Sequence, residues 1–230
     1  MDVQFTDFNS ADSVIAQSFT DEWQSLLEVL QAMPLHLKAS DQAGIQGNAI
    51  FDPVGTNEHI ATALVARGWR AKIAIPGAFS FLGTDVDFGK RGTVVEAQFS
   101  NYPFLLNNVI RSELFFRSGT VFDQQPSRLI FLVTKGGMFP ASNSTLYYEQ
   151  GISQLSALAQ HRVFSVPIRL IGLFSRLGEI EANWSVYAAS RYSRTMQTRE
   201  MRRFLIRRAS VRTTVSNRCQ IHPIFGTQDL

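Results

Sequence analysis

From Thr84 to Phe99 the chain carries two short apolar-alternating runs separated by Gly89-Lys90-Arg91-Gly92. Period-two alternation broken by glycines is the pattern of a β-hairpin. Side chains alternate across a strand, so Glu96 and Gln98 share one face while Ala97 points the other way. Asp87 closes the first run and is placed to reach the same spot from across the hairpin. Two carboxylates and an amide then converge where a hard cation finds oxygen ligands. On spacing alone, an Asp and a Glu on neighbouring strands read first as solvated surface charges. Asp85 shares the strand face of Asp87 and is the second candidate ligand.

Around this hairpin the pattern mixes helices and strands. Thr20-Asp21-Glu22 has the form of a helix start, and Leu26, Leu27, Leu30 and Met33 follow at helical spacing up to Pro34. Residues 39–56 are rich in Gly, Asn, Asp and Pro and predict a long loop. A helix is expected over 57–67 with Gly68 as its stop, then a strand over 69–75. Pro103 stands where a first helical residue belongs. The helix after it, to Arg117, has more apolar residues than one core stripe needs, which fits either subunit contact or burial between two layers. Arg128–Thr134 predicts a buried strand, Leu146–Gln160 a helix, and 163–170 and 179–187 further strands. No strict strand–helix–strand repeat is present, so the expected class is α/β with a mixed central sheet flanked by helices. We expect one domain over 1–230, with an N-terminal helical part (about 1–68), a sheet core (about 69–190) and a basic segment (191–218).

At 230 residues and 45% hydrophobic, the chain can bury a large single core. Net charge is only +3, but its placement is uneven. Nine arginines fall between Arg191 and Arg218 against one acid, Glu200. Such a stretch suits a polyanion, since neutralising phosphates releases condensed counterions; a solvated arginine-rich helix face is the alternative. Cys219 is the only cysteine, which excludes an intrachain disulfide and fits a reducing, cytoplasmic setting. No secretory signal is evident, and no apolar run is long enough to span a bilayer. Other motifs do not hold: the glycines around Gly83–Lys90 are misspaced for a phosphate loop. The four histidines lack zinc-ligand spacing, and Ser80 is not in a nucleophile elbow.

Asp87, then Glu96 nine residues on, then Gln98, followed by Phe-Ser-Asn-Tyr-Pro-Phe-Leu-Leu-Asn-Asn to Asn108, resembles the BglII/BstYI group of type II restriction endonucleases within the PD-(D/E)XK nuclease superfamily. The likeness runs from about Thr84 to Glu149. Gln98 departs from the lysine of the wider superfamily but matches the narrower group. The resemblance implies Mg²⁺, with Mn²⁺ able to replace it, held by Asp87, Glu96 and the backbone carbonyl of Ala97. Gln98 would orient the attacking water.

It further implies base contacts from Ser100, Asn101, Asn143 and Ser144, with Arg111 as a further DNA contact; from the basic segment itself, Tyr192 and Arg194 are expected on DNA phosphates. From the residues alone, Asn143 or Ser144 also suits a helix N-cap. The expected activity is Mg²⁺-dependent double-strand cleavage of a short palindrome with a GATC core, leaving 5′ overhangs. The expected assembly is a cytoplasmic bacterial homodimer on double-stranded DNA, without membrane or organic cofactor. Two alternatives stand beside it: a structure-specific repair or junction nuclease, and a non-catalytic DNA-binding module.

Overall fold

In the computed structural model of the chain, residues 1–141, 146–189, 195–209 and 218–224 are described. The first half runs β1 (Asp2–Phe8), α1 (Ala11–Val14), a π-helical turn (Ile15–Phe19), α2 (Thr20–Ala32), β2 (Leu35–Ala39), β3 (Ala49–Phe51), α3 (Pro53–Val65), β4 (Arg70–Ala74), a 3₁₀ segment (Gly77–Leu82), β5 (Asp85–Lys90) and β6 (Thr93–Ala97). The second half runs α4 (Pro103–Arg117), β7 (Val121–Phe122), β8 (Gln125–Pro126), β9 (Leu129–Lys135), α5 (Tyr148–Gln160), β10 (Ile168–Phe174), β11 (Gly178–Tyr187), β12 (Met196–Arg208) and β13 (Cys219–Pro223).

A six-stranded sheet in the order β1-β10-β9-β6-β5-β4 forms the centre. It is mixed, as expected: β10, β9 and β6 are parallel, and the flanking pairs are antiparallel. All seven residues of β9 are buried, which is why Leu129 to Val133 are apolar without alternation. One face of this sheet packs on α4 and α5 through Val94, Ile130, Leu132, Leu105, Val109 and Leu155. The other face, through Val95, Phe131 and Val133, meets α2 and α3. Full burial of each such aliphatic or aromatic side chain contributes roughly 1.5–3 kcal/mol, so these two layers fix the strands that carry the carboxylates.

A second, five-stranded sheet, β13-β12-β11-β2-β3, extends the same core through Leu37, Phe51, Ala182, Phe204 and Ile206. The sequence did not announce it. The loop expected over 39–56 contains β3 and the start of α3, which begins at Pro53 because Asp52 caps it by accepting from Val54 N–H. The region expected to be helical to residue 68 also holds β1 and β2. The helix expected from Leu146 starts at Tyr148, and the strand expected from Val163 starts at Ile168. The arginine-rich segment is not a helix over 196–208; it is β12, paired with β11 and burying Phe204 and Ile206.

Candidate active site

The β5–β6 hairpin forms as the alternation predicts, with a tighter turn. Lys90 pairs with Thr93, leaving Arg91 and Gly92 as a two-residue loop, both at positive φ (49° and 83°). That combination matches the right-handed twist of the strands. Asp87 does not end its strand, which continues to Lys90. The register Phe88↔Val95 and Gly89↔Val94 puts Asp87 opposite Glu96 on the next rung, and directly opposed residues point to the same face. Glu96 shares parity with Val94 and so lies on the α4 side of the sheet, adjacent to Leu132 of β9.

Beyond that rung the ladder gives way to a side-chain contact: Ala97 N–H donates to Asp87 Oδ2 at 2.8 Å. Gln98 N–H donates to the Val133 carbonyl on the opposite side. The N–H and C=O of one planar trans peptide point oppositely, so the Ala97 carbonyl faces β5 and Asp87. The structure therefore brings together Asp87, Glu96 and the Ala97 carbonyl at one strand end. Among the described residues no group of three or more His, Cys, Asp or Glu side chains is placed to hold a metal. The donor set here, two carboxylates and a carbonyl, is one of oxygens only, which suits a hard divalent cation.

Glu96 is 3% exposed, and Arg111 of α4, 8% exposed, lies against it with Nη2 2.5 Å from Oε1. Arg111 also donates to the Asp85 carbonyl at 3.3 Å. Burial raises the Glu96 pKa to about 8; the Arg111 charge opposes that rise and the Asp87 charge adds to it. Asp87 is likewise raised, chiefly by burial, with the Ala97 N–H and Arg111 pulling the other way. Two carboxyls that resist ionisation side by side make a place where added positive charge is strongly favoured. Spacing in the sequence gave no hint that Arg111 partners Glu96.

Gln98 is half-buried and held at both ends of its amide. Its Nε2 donates to Ser100 Oγ, and its Oε1 accepts from Asn108 Nδ2 at 3.4 Å. Ser100 and Asn101 are exposed at the exit of β6. Asn143, Ser144, Tyr192 and Arg194 lie outside the described residues. Of the nine arginines, Arg199 pairs with Glu58, Arg202 with Glu200 and Arg203 with Glu179. The local excess of charge is thus partly neutralised by two acids from outside the segment, Glu58 and Glu179. His36 and His59 also come together, with ring centroids 5.5 Å apart. Burial first, then Arg199, lowers the His36 pKa to about 3, so it is a neutral core histidine.

The sequence pattern of the family described as "Restriction endonuclease BglII/BglIII" matches residues 3–173. A curated relative, "Type II restriction enzyme BglII" from Bacillus subtilis, is 52% identical over 201 residues, covering 87% of this chain and 89% of the relative. Among solved structures, "restriction endonuclease BGLII complexed with DNA 16-mer" superposes with a TM-score of 0.93 at 47% identity. It covers 97% of this chain and 100% of that one. "Free BglII" superposes with a TM-score of 0.74 at 44% identity over the same shares.

Proposed function

The chain belongs to the BglII restriction endonuclease family, as a type II enzyme that cuts DNA at a short site, and from that premise we propose how its own residues do so. Asp87, Glu96 and the Ala97 carbonyl hold Mg²⁺, with Mn²⁺ able to replace it. The observation that carries this is the placing of Asp87 across from Glu96, one rung beyond the Phe88↔Val95 pair, closed by the Ala97 N–H on Asp87. When bound, such a cation would supply charge neutralisation at the phosphate and acidity to water, for the attack and for protonating the leaving 3′ oxygen.

Around that centre the remaining groups have separate tasks. Glu96, whose pKa burial raises to about 8, would have to give up its proton to serve as a ligand. Arg111 keeps a fixed positive charge beside the carboxylates, where a scissile phosphate is drawn in. Gln98 is neutral and takes no proton; its amide, held by Asn108 and Ser100, orients water by hydrogen bonds. Ser100 and Asn101 present amide and hydroxyl groups to base edges, joined by Asn143 and Ser144, with Tyr192 and Arg194 on the phosphates.

The target is a palindrome with a GATC core, cut to leave 5′ overhangs by a homodimer in the bacterial cytoplasm. Two-fold protein symmetry would match two-fold DNA symmetry. What supports the dimer is α4, which exposes Ile110 and Leu114 four residues apart on one face, with Phe104 also exposed at its start. No helix among the described residues is long and apolar enough to cross a membrane.

The test is digestion of bacteriophage DNA with purified protein and Mg²⁺, followed by end sequencing, alongside Asp87→Ala and Glu96→Ala. Discrete fragments with four-nucleotide 5′ ends around GATC are expected from the wild type. Neither variant is expected to cut, while both bind the site in Ca²⁺. Full cutting by Glu96→Ala removes the catalytic assignment, and cutting confined to flaps or junctions replaces the site-specific one.

A further inference from the structure

Lys135, the last residue of β9, is 0% exposed. Its ammonium donates to the Phe99 carbonyl at 3.1 Å and to the Leu146 carbonyl at 2.7 Å. It also sits 4.5 Å above the ring centroid of Tyr147. These acceptors belong to two separate stretches of chain. One leaves the carboxylate strand through Gln98, Ser100 and Asn101. The other enters α5 through Leu146 and Tyr147 and is preceded in the chain by Asn143 and Ser144. The stretches also touch directly, where Leu146 N–H donates to the Ser100 carbonyl at 3.1 Å.

Burying a lysine is costly, because desolvation disfavours its charged form. Methionine of similar length would fill the space without that cost, but it would leave the Phe99 and Leu146 carbonyls without this donor. An ammonium carries three donors in divergent directions, so one side chain can satisfy main-chain acceptors that belong to no common ladder. In a low-dielectric interior such ties are stiff. Burial and then the nearby Arg218 charge lower the Lys135 pKa to about 7; a neutral amine still keeps two N–H donors, so the tie survives deprotonation.

We propose that Lys135 is a positioning residue for site discrimination, locking the 98–101 stretch to the Leu146–Tyr147 stretch so that Ser100 and Asn101 keep one placement at the exit of β6. The proposal rests on the assignment of base contacts given above. It concerns neither the carboxylates nor the cation.

The experiment compares wild type with Lys135→Met and Tyr147→Leu on short duplexes. One duplex carries the site found by end sequencing, and the others change it by one base pair. For Lys135→Met the ratio of kcat/KM on the true site to that on altered sites falls about tenfold to hundredfold, the worth of one good base contact. The loss lies in kcat on the true site, while binding of non-specific DNA in Ca²⁺ is unchanged. A purely structural lysine would instead lower thermal stability and scale every duplex's rate by one factor. A ratio within twofold of wild type overturns the proposal.

If Lys135→Met does not fold, Tyr147→Leu decides. It removes the ring face under the ammonium, and an unchanged ratio in that variant also overturns the proposal. If the wild type cuts nothing, the enzymatic assignment fails first. The ratio of binding in Ca²⁺ to GATC-centred palindromes and to a duplex lacking GATC then reads the same effect.

Discussion

Replacing Glu96 by glutamine keeps the shape of the side chain and fixes it in the uncharged state. In the folded, cation-free protein the Glu96 pKa is raised from an ordinary 4.5 to about 8, mainly by burial. Each tenfold in proton affinity is worth about 1.4 kcal/mol, so the whole rise corresponds to on the order of 5 kcal/mol. The sign follows from proton counting. Between pH 4.5 and about 8 the folded state holds a proton that the unfolded state has lost, so wild-type stability falls as pH rises. Below pH 4.5 both states are protonated, and the variant and wild type should match. At pH 7 the variant should be more stable by roughly 3 kcal/mol, and above pH 8 the difference should level off near its full value.

The assay is denaturant unfolding of both proteins in EDTA at a series of pH values, repeated with excess Mg²⁺. Bound cation stabilises only the state that binds it, so Mg²⁺ should narrow the gap by stabilising wild type and not Glu96→Gln. The variant should also be inactive, which makes the residue a case of stability given up for function. Parallel pH profiles across this window would refute the claim that Glu96 is held in a desolvated site. Equal stabilisation of both proteins by Mg²⁺ would remove Glu96 from the ligand set.

Three further outcomes are expected. Gly92→Ala should destabilise by at least about 2 kcal/mol in denaturant unfolding, because Gly92 has φ +83° and an added Cβ would meet the Pro126 carbonyl oxygen at 2.5 Å. Arg207→Ala with Arg208→Ala should lower the slope of log Kd against log salt by about one, since both are exposed but stand on opposite faces of β12. Arg203→Ala, whose side chain is engaged with Glu179, should leave that slope unchanged. Ile110→Asp, at a position 55% exposed on α4, should yield a folded monomer by sedimentation velocity and lose double-strand cleavage.

How much of this was legible depended on sequence distance. The hairpin, α4 and β9 were readable because each writes its own period: alternation on both sides of Arg91-Gly92, Pro103 ahead of helical spacing, and an apolar run in β9. The strands that were missed owe their existence to remote partners. β2 lies beside β11, and β1 beside β10, each more than a hundred residues away in the chain. A strand's preference is largely that of the surface it joins, so five residues such as Leu35–Ala39 carry little signal alone. In β12 the arginines outnumber the inward Phe204 and Ile206, and charge count masked the alternation. The site divides the same way. Asp87 and Glu96 are neighbours across a two-residue turn, whereas Arg111 reaches Glu96 and Asn108 reaches Gln98 only because α4 packs over β6.

That division says where the site is vulnerable. Strand side chains have period two, so a slip of one residue between β5 and β6 would send Glu96 to the face occupied by Val95, among α2 and α3. Register is pinned at both ends. At one end, the positive φ values of Arg91 and Gly92 admit one tight turn. At the other, the Asp87 carboxylate takes the Ala97 N–H in place of the next ladder bond. The residue that would hold the cation thus also holds the strand in register. Asp87→Ala removes the ligand and the latch together, while Asp87→Asn keeps an oxygen that can accept from Ala97 N–H. Loss of cleavage with unchanged stability in the asparagine variant, against loss of cleavage with lowered stability in a still-folded alanine variant, would separate the two roles of one carboxylate.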